Sequence, residues 1–163
     1  MKFINILFII SLSILGYSQN QEIVFRNLDI NNGLSQNTVI SIIQDNNGFI
    51  WLGTYDGINI FDGKEITRFS CKSEQSQSIN SRSIYSLCKD NNNLIYISTE
   101  GSGVIIFNPI TETISTITAD SSKCSIPSNN VTELFLSSDN LIWITTRSGL
   151  AIYNPKNKTT QKF

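Results

Sequence analysis

An all-β chain assembled from three consecutive copies of one unit is predicted by three features of the sequence. Asn47-Gly48-Phe49-Ile50-Trp51-Leu52-Gly53-Thr54 returns as Asn92-Asn93-Leu94-Ile95-Tyr96-Ile97-Ser98-Thr99, and again as Asp139-Asn140-Leu141-Ile142-Trp143-Ile144-Thr145-Thr146. The aromatic landmarks Trp51, Tyr96 and Trp143 stand 45 and 47 residues apart, a period that marks a modular array. Each copy also holds four short apolar runs bounded by Gly, Asn, Asp or Pro, and past the N-terminus no long stretch has helical i, i+3, i+4, i+7 spacing. Units of this length with four strands each most often form wedge-shaped sheets set radially around a channel. The fold expected is therefore a partial β-propeller of three four-stranded antiparallel blades.

The elements follow in chain order. Residues 1–18 read as a signal peptide: Met1-Lys2 is a positive start, Phe3 to Leu15 is an apolar run broken only by Asn5, Ser11 and Ser13, and Gly16-Tyr17-Ser18 sets small residues before a cut after Ser18. The run is shorter than the roughly 20 apolar residues of a membrane span, no second such run follows, and no Cys behind it could accept a lipid. The chain is thus expected in the periplasm or another extracytoplasmic space, with no membrane span of its own. Residues 19–33 supply a lead-in and, over Ile23–Leu28, an orphan outermost strand, because Phe25 precedes Val39 by 14 residues, much as Phe69 precedes Ile84 by 15 and Ile117 precedes Val131 by 14.

Blade 1 is expected over 34–69, blade 2 over 79–117 and blade 3 over 126–163. Val39, Ile40, Ile42 and Ile43 open the first, Ile84, Tyr85 and Leu87 the second, and Val131, Leu134, Phe135 and Leu136 the third. The aromatic strand comes next, then a strand running from Gly57-Ile58, Gly103-Val104 or Gly149-Leu150 to Phe61-Asp62, Phe107-Asn108 or Tyr153-Asn154. An apolar residue closes each unit: Phe69, Ile117 and Phe163. Asn47-Gly48 and Asp56-Gly57 read as two-residue hairpin turns with positive φ at both central positions. Asp62-Gly63, Asn108-Pro109 and Asn154-Pro155 share one later turn. A closed ring needs roughly four to eight blades, so three blades and a spare strand imply a piece of a longer protein.

Composition excludes several functions. Twelve Lys and Arg balance 13 Asp and Glu, for a net charge of -1, and no basic stripe stands out, which argues against nucleic acid as a partner. Histidine is absent, so there is no imidazole base, no Ser-His pair and no phosphoacceptor histidine. No catalytic residue is expected, the chain reads as a non-enzyme, and no cofactor is implied. Cys71, Cys88 and Cys124 match no zinc spacing, so no metal is expected. Cys88 reads as a small buried hydrophobe, while Cys71 and Cys124 fall in equivalent connections and could pair only within disulfide reach.

Single residues invite sharper readings. Trp51, Tyr96 and Trp143 could stack on sugars, but an aromatic that recurs in register is expected to fill the wedge between blades. Asp45, Asp56, Asp62, Asp90 and Asp139 sit beside Gly or Asn, where a carboxylate caps turn amides. Asp45-Asn46-Asn47-Gly48 evokes a calcium loop without its later acidic ligand. Gly101-Ser102-Gly103 lies in a hairpin, not before a helix, and is too short to cradle phosphate. Asn130-Val131-Thr132 and Asn157-Lys158-Thr159 match the glycosylation acceptor spacing by chance in an Asn- and Thr-rich chain. Tyr55-Asp56 and Glu100, in the second turn, are candidates for a partner surface. No ligand-binding residue is assigned.

The run from Asn32-Gly33-Leu34-Ser35-Gln36-Asn37-Thr38-Val39 through Gln44-Asp45-Asn46-Asn47-Gly48 to Trp51-Leu52-Gly53-Thr54, with Asp56-Gly57-Ile58 and Phe61-Asp62-Gly63, resembles the two-component regulator propeller repeat. The resemblance covers residues 22–163 and is closest in the first unit; Tyr96, Asn92-Asn93, Ser98 and Thr145 depart from it. It implies the periplasmic sensor region of a hybrid two-component system of the kind common in Bacteroidetes. It also implies a glycan or other small extracytoplasmic ligand, and partners among further blades or downstream sensor domains. Family members usually carry more blades, a membrane helix and a histidine kinase, and none of these is in this sequence. Two other functions compete: part of a propeller glycan lyase or hydrolase, which needs paired carboxylates that are not evident, and a non-catalytic interaction scaffold.

Overall fold

The structure, a computed structural model, describes residues 24–70, 83–120 and 124–163. The expected signal peptide and Cys71 lie outside those residues. Twelve strands form three separate four-stranded sheets, each an antiparallel meander in chain order. Blade 1 is β1 (Val39–Gln44), β2 (Ile50–Thr54), β3 (Gly57–Phe61) and β4 (Ile66–Arg68). Blade 2 is β5 (Ile84–Lys89), β6 (Ile95–Thr99), β7 (Val104–Asn108) and β8 (Thr113–Ile117). Blade 3 is β9 (Val131–Leu136), β10 (Ile142–Thr146), β11 (Gly149–Asn154) and β12 (Thr159–Lys162). The first strands lie side by side, β5 touching β1 on one flank and β9 on the other.

Strand alternation gives each blade two faces, because successive side chains point to opposite sides of a sheet. On the forward face of blade 1, Ile43, Trp51 and Ile60 are cross-strand partners. They pack with Ile58 and Phe69 against Ile84, Leu87, Ile95, Ile97, Ile105 and Phe107 of blade 2. The forward face of blade 2, with Cys88, Tyr96 and Ile106 in the same register, meets Val131, Leu134, Ile142, Ile144, Ala151 and Tyr153 of blade 3. The core is thus two inter-blade seams, each apolar on both sides. Gly53 lets the first of them close: a Cβ there would stand 3.0 Å from Ile84 Cγ2.

The first turn of every blade is one residue longer than the two-residue hairpin expected. The amides of Asp45, Asp90 and Ser137 bond to the carbonyls of Phe49, Leu94 and Leu141, and those of Gly48, Asn93 and Asn140 return to Asp45, Asp90 and Ser137. This is a type I turn followed by a left-handed residue, a common three-residue hairpin loop. Positive φ therefore falls on a single residue per turn, Gly48 (90°), Asn93 (65°) or Asn140 (63°), and Asn is the side chain best tolerated there after Gly. The second turn follows the same rule: Gly57, at φ 92°, takes the positive angle and Asp56 does not.

Of the orphan strand expected over Ile23–Leu28, the described part, Val24 to Leu28, forms no strand. Val24 to Leu28 enter no ladder, and Val24 and Phe25 are 84% and 91% exposed. A strand needs a sheet edge to bond with, and no described edge receives this segment. The chain becomes ordered at a 3-10 turn, Ile30–Asn32, capped by the Asp29 side chain, and Leu34 is the first buried residue after it.

Candidate functional site

Each first turn is organised by the side chain of its first residue, which is buried in blades 1 and 2 and half-buried in blade 3. The Asp45 Oδ1 accepts the amides of Asn47 (2.9 Å) and Phe49 (3.0 Å), while Oδ2 accepts the Trp51 indole N–H at 3.0 Å. Asp90 repeats this with Asn92 and Leu94, both at 2.9 Å, and with the Tyr96 hydroxyl at 3.2 Å. In blade 3 Ser137 takes over, its Oγ accepting the Leu141 amide and donating to the Leu141 carbonyl. Asp62 also caps amides, and those of Glu65 and Lys64 lower its pKa. The capping expected of Asp56 and Asp139 is not found. Asp56 instead takes the Arg68 guanidinium at 3.0 Å, and Asp139 accepts from the Ser137 hydroxyl.

The aromatic column is buried where a blade follows it. Trp51 is 3% exposed and Tyr96 0%, whereas Trp143, at the same strand position of blade 3, is 38% exposed. Burial in the seam raises the pKa of the Tyr96 and Tyr153 hydroxyls, and pushes the Cys88 thiol from 9.0 up to about 12, with the Asp90 charge adding to it. Cys88 is thus a buried hydrophobe, and neither it nor Cys124 is in a disulfide.

Between blades 1 and 2 the seam opens into a cleft of ≈ 490 Å³. Its floor is aromatic: Trp51, Phe69 and Phe107 form a triangle with ring centroids 4.9 to 5.5 Å apart. Phe49, Asn47, Arg68 and Glu112 stand around its mouth. Sequence reading missed this cleft because it joins a turn of one unit to the last strand of that unit and to a turn of the next. Apolar floor with a few polar groups at the rim is the usual make-up of a small-molecule site.

The second turns form a different surface. Tyr55, half exposed, meets Tyr85 of the next blade edge-on at 6.1 Å, and Glu100 faces Arg147 at 3.9 Å. Asp56, Tyr55 and Glu100 are therefore in contact with neighbouring groups, and Tyr55 and Glu100 reach the following blade. The amides of Gly101 and Gly103 both donate to the Asn129 carbonyl, which leaves Gly101-Ser102-Gly103 no cradle for an anion. Among the described residues, no three His, Cys, Asp or Glu side chains could hold a metal ion, and no helix is long and apolar enough to cross a membrane.

Three successive meanders stacked face to face define a stretch of β-propeller. Residues 33–56 and 78–101 match the family described as two component regulator propeller. Histidine kinase P4 of Formosa agariphila is 40% identical over 82 residues, covering 48% of this chain and 6% of the relative. The extracellular domain of a Bacteroides thetaiotaomicron protein described as a hybrid two component system is 28% identical, covers 85% of this chain and 20% of that one, and superposes with a TM-score of 0.71. A second extracellular domain from the same organism, described as that of a one component system, is 25% identical, with 93% and 20% covered and a TM-score of 0.67. The chain thus spans a small part of each relative.

Proposed function

We propose that this chain is an extracytoplasmic, ligand-recognising arc of a propeller sensor for two-component signalling, with the rest of the ring and the kinase lying outside these residues. The observation that carries the reading is the similarity, over 85% of the chain, to an extracellular domain of such a system. The chain's apolar N-terminal run fits export. The cleft between blades 1 and 2 supports a small ligand with one flat apolar face and a polar perimeter, which is the chemistry of a sugar ring over an aromatic floor. Arg68 and Glu112 at its mouth would bond the hydroxyls. Occupancy would draw blades 1 and 2 together, and the altered contacts between scaffold and later domains would carry the signal.

Calorimetric titration of the full chain with neutral and uronic-acid oligosaccharides tests ligand recognition. Saturable heat that Phe49→Ala and Glu112→Gln both weaken is expected. Silence across the panel, or binding that neither substitution alters, would show that the cleft is not the binding site. Turnover of the bound sugar would favour a glycan-cleaving enzyme instead.

A further inference from the structure

Among the described residues, three charged side chains line the cleft between blades 1 and 2: Asp45, Arg68 and Glu112. Arg68 is matched by a group outside the cleft, its guanidinium donating to the Asp56 carboxylate at 3.0 Å and to the Asp56 carbonyl at 2.8 Å. Asp45 lies beside the floor with its Oδ2 on the Trp51 indole N–H, and Glu112 stands at the mouth. Two carboxyl groups and an aromatic triangle therefore share one space, and the cation lining it is drawn aside by a third carboxylate. Phe49 adds another ring. In blade 2 its position is held by Leu94, which packs on the core, whereas Phe49 is 41% exposed over the cleft. The face of an aromatic ring attracts a cation that comes within about 6 Å of its centroid, Trp most strongly, and the attraction grows as water is excluded.

We propose that this cleft selects a sugar that bears a protonated amine over neutral and acidic sugars. The proposal rests on the cleft being the ligand site, and it adds the charge of the ligand. The apolar face of the sugar ring would lie on the aromatics and its ammonium would face Glu112. A uronate would bring its negative charge toward the same two carboxyl groups, with Arg68 already engaged by Asp56. The sign at the mouth is set by one residue and not by the fold. Glu112 and Lys158 each precede the last strand of their blade, beside Thr113 and Thr159. Both take the left-handed backbone conformation, with φ of 53° and 54°. Blade 3 thus puts a cation on the turn where blade 2 puts an anion, at the same backbone cost.

Calorimetric titration of the full chain, at a mildly acidic pH that keeps a sugar amine protonated, tests the selection. The ligands are linear tetramers of glucosamine, N-acetylglucosamine, glucose and galacturonic acid, together with trilysine. The glucosamine tetramer should bind about ten-fold more tightly than the glucose tetramer, as a cation–π contact allows, and added salt should narrow the gap. Trilysine, which has the charge without the ring face, should bind more weakly than the glucosamine tetramer. Glu112→Gln should shrink the amine preference. Glu112→Lys should reverse the order of glucosamine and galacturonate tetramers, and circular dichroism checks that it stays folded, as Lys158 does at that angle. Equal affinity for the amine, acetylated and neutral tetramers would overturn amine selection while leaving sugar recognition intact. Silence toward every sugar would overturn both. Tighter binding of galacturonate, trilysine binding that equals glucosamine, or an amine preference unchanged in both folded variants would each refute the proposal.

Discussion

At the scale of single residues, Trp51 illustrates how one side chain serves two levels of structure. Its ring fills the seam to blade 2, while its indole N–H reaches back to Asp45, which is itself folded around the preceding turn. Trp51→Ala is expected to cost about 3–5 kcal/mol as a core truncation. Trp51→Phe, which keeps most of the volume but strips a donor from a buried carboxylate, should cost about 1.5–3 kcal/mol. Trp143→Ala, on an open face with no carboxylate beside it, should cost no more than about 2 kcal/mol. Urea unfolding of dilute chain ranks the three, and an equal cost at positions 51 and 143 would refute the seam assignment. Cys88, Tyr96 and Tyr153 make a second residue-scale case. Their folded-state pKa values are raised, so the unfolded chain releases its protons first. Stability held in full at neutral pH should then decline as pH climbs from about 9 toward about 12. Urea midpoints at neutral pH and at about pH 11 would expose a flat profile. In the folded state a thiol reagent should label Cys124 and spare Cys88.

At the scale of elements, the turns decide how blades are spaced. Four strands per unit were legible from apolar runs and punctuation, and so was the burial of Trp51 and Tyr96, though not the exposure of Trp143. The turn geometry was not. Asn-Gly suggests a two-residue loop by composition, but the Asp at the head of the turn binds two amides and favours the longer one. That brace also escaped notice because Asp45 and Trp51 are six residues apart and meet only once the loop has formed. Asn93 bears two duties: it adopts φ 65° and its Oδ1 binds the Asn46 amide of blade 1. Asn93→Gly should keep the turn and lose the bridge, for about 1 kcal/mol. Asn93→Ala should lose the bridge and strain the backbone by about 1–2 kcal/mol more. If Ala proved as mild as Gly, the left-handed angle would not matter at this turn. Gly53→Ala probes the same seam from its tightest point, where added volume against Ile84 should cost about 1–3 kcal/mol and a neutral outcome would mean that the blades shift apart freely.

At the scale of the whole molecule, the arc is a one-dimensional stack whose local stability follows the number of neighbours each sheet touches. The repeat made this architecture legible in the sequence. What covers Trp143, and the cleft shared by two units, were not legible, because each depends on which surface comes next in space. Blade 2 has a neighbour on both sides, and every residue of β6 is buried, whereas β12 has no buried residue and β1 none either. Native-state hydrogen exchange should therefore find the slowest amides in β6 and β7, and fast ones in β4 and β12, since local opening needs only the contacts of the strand that opens. Uniform protection would mean that all three sheets open together and that seams do not set local stability.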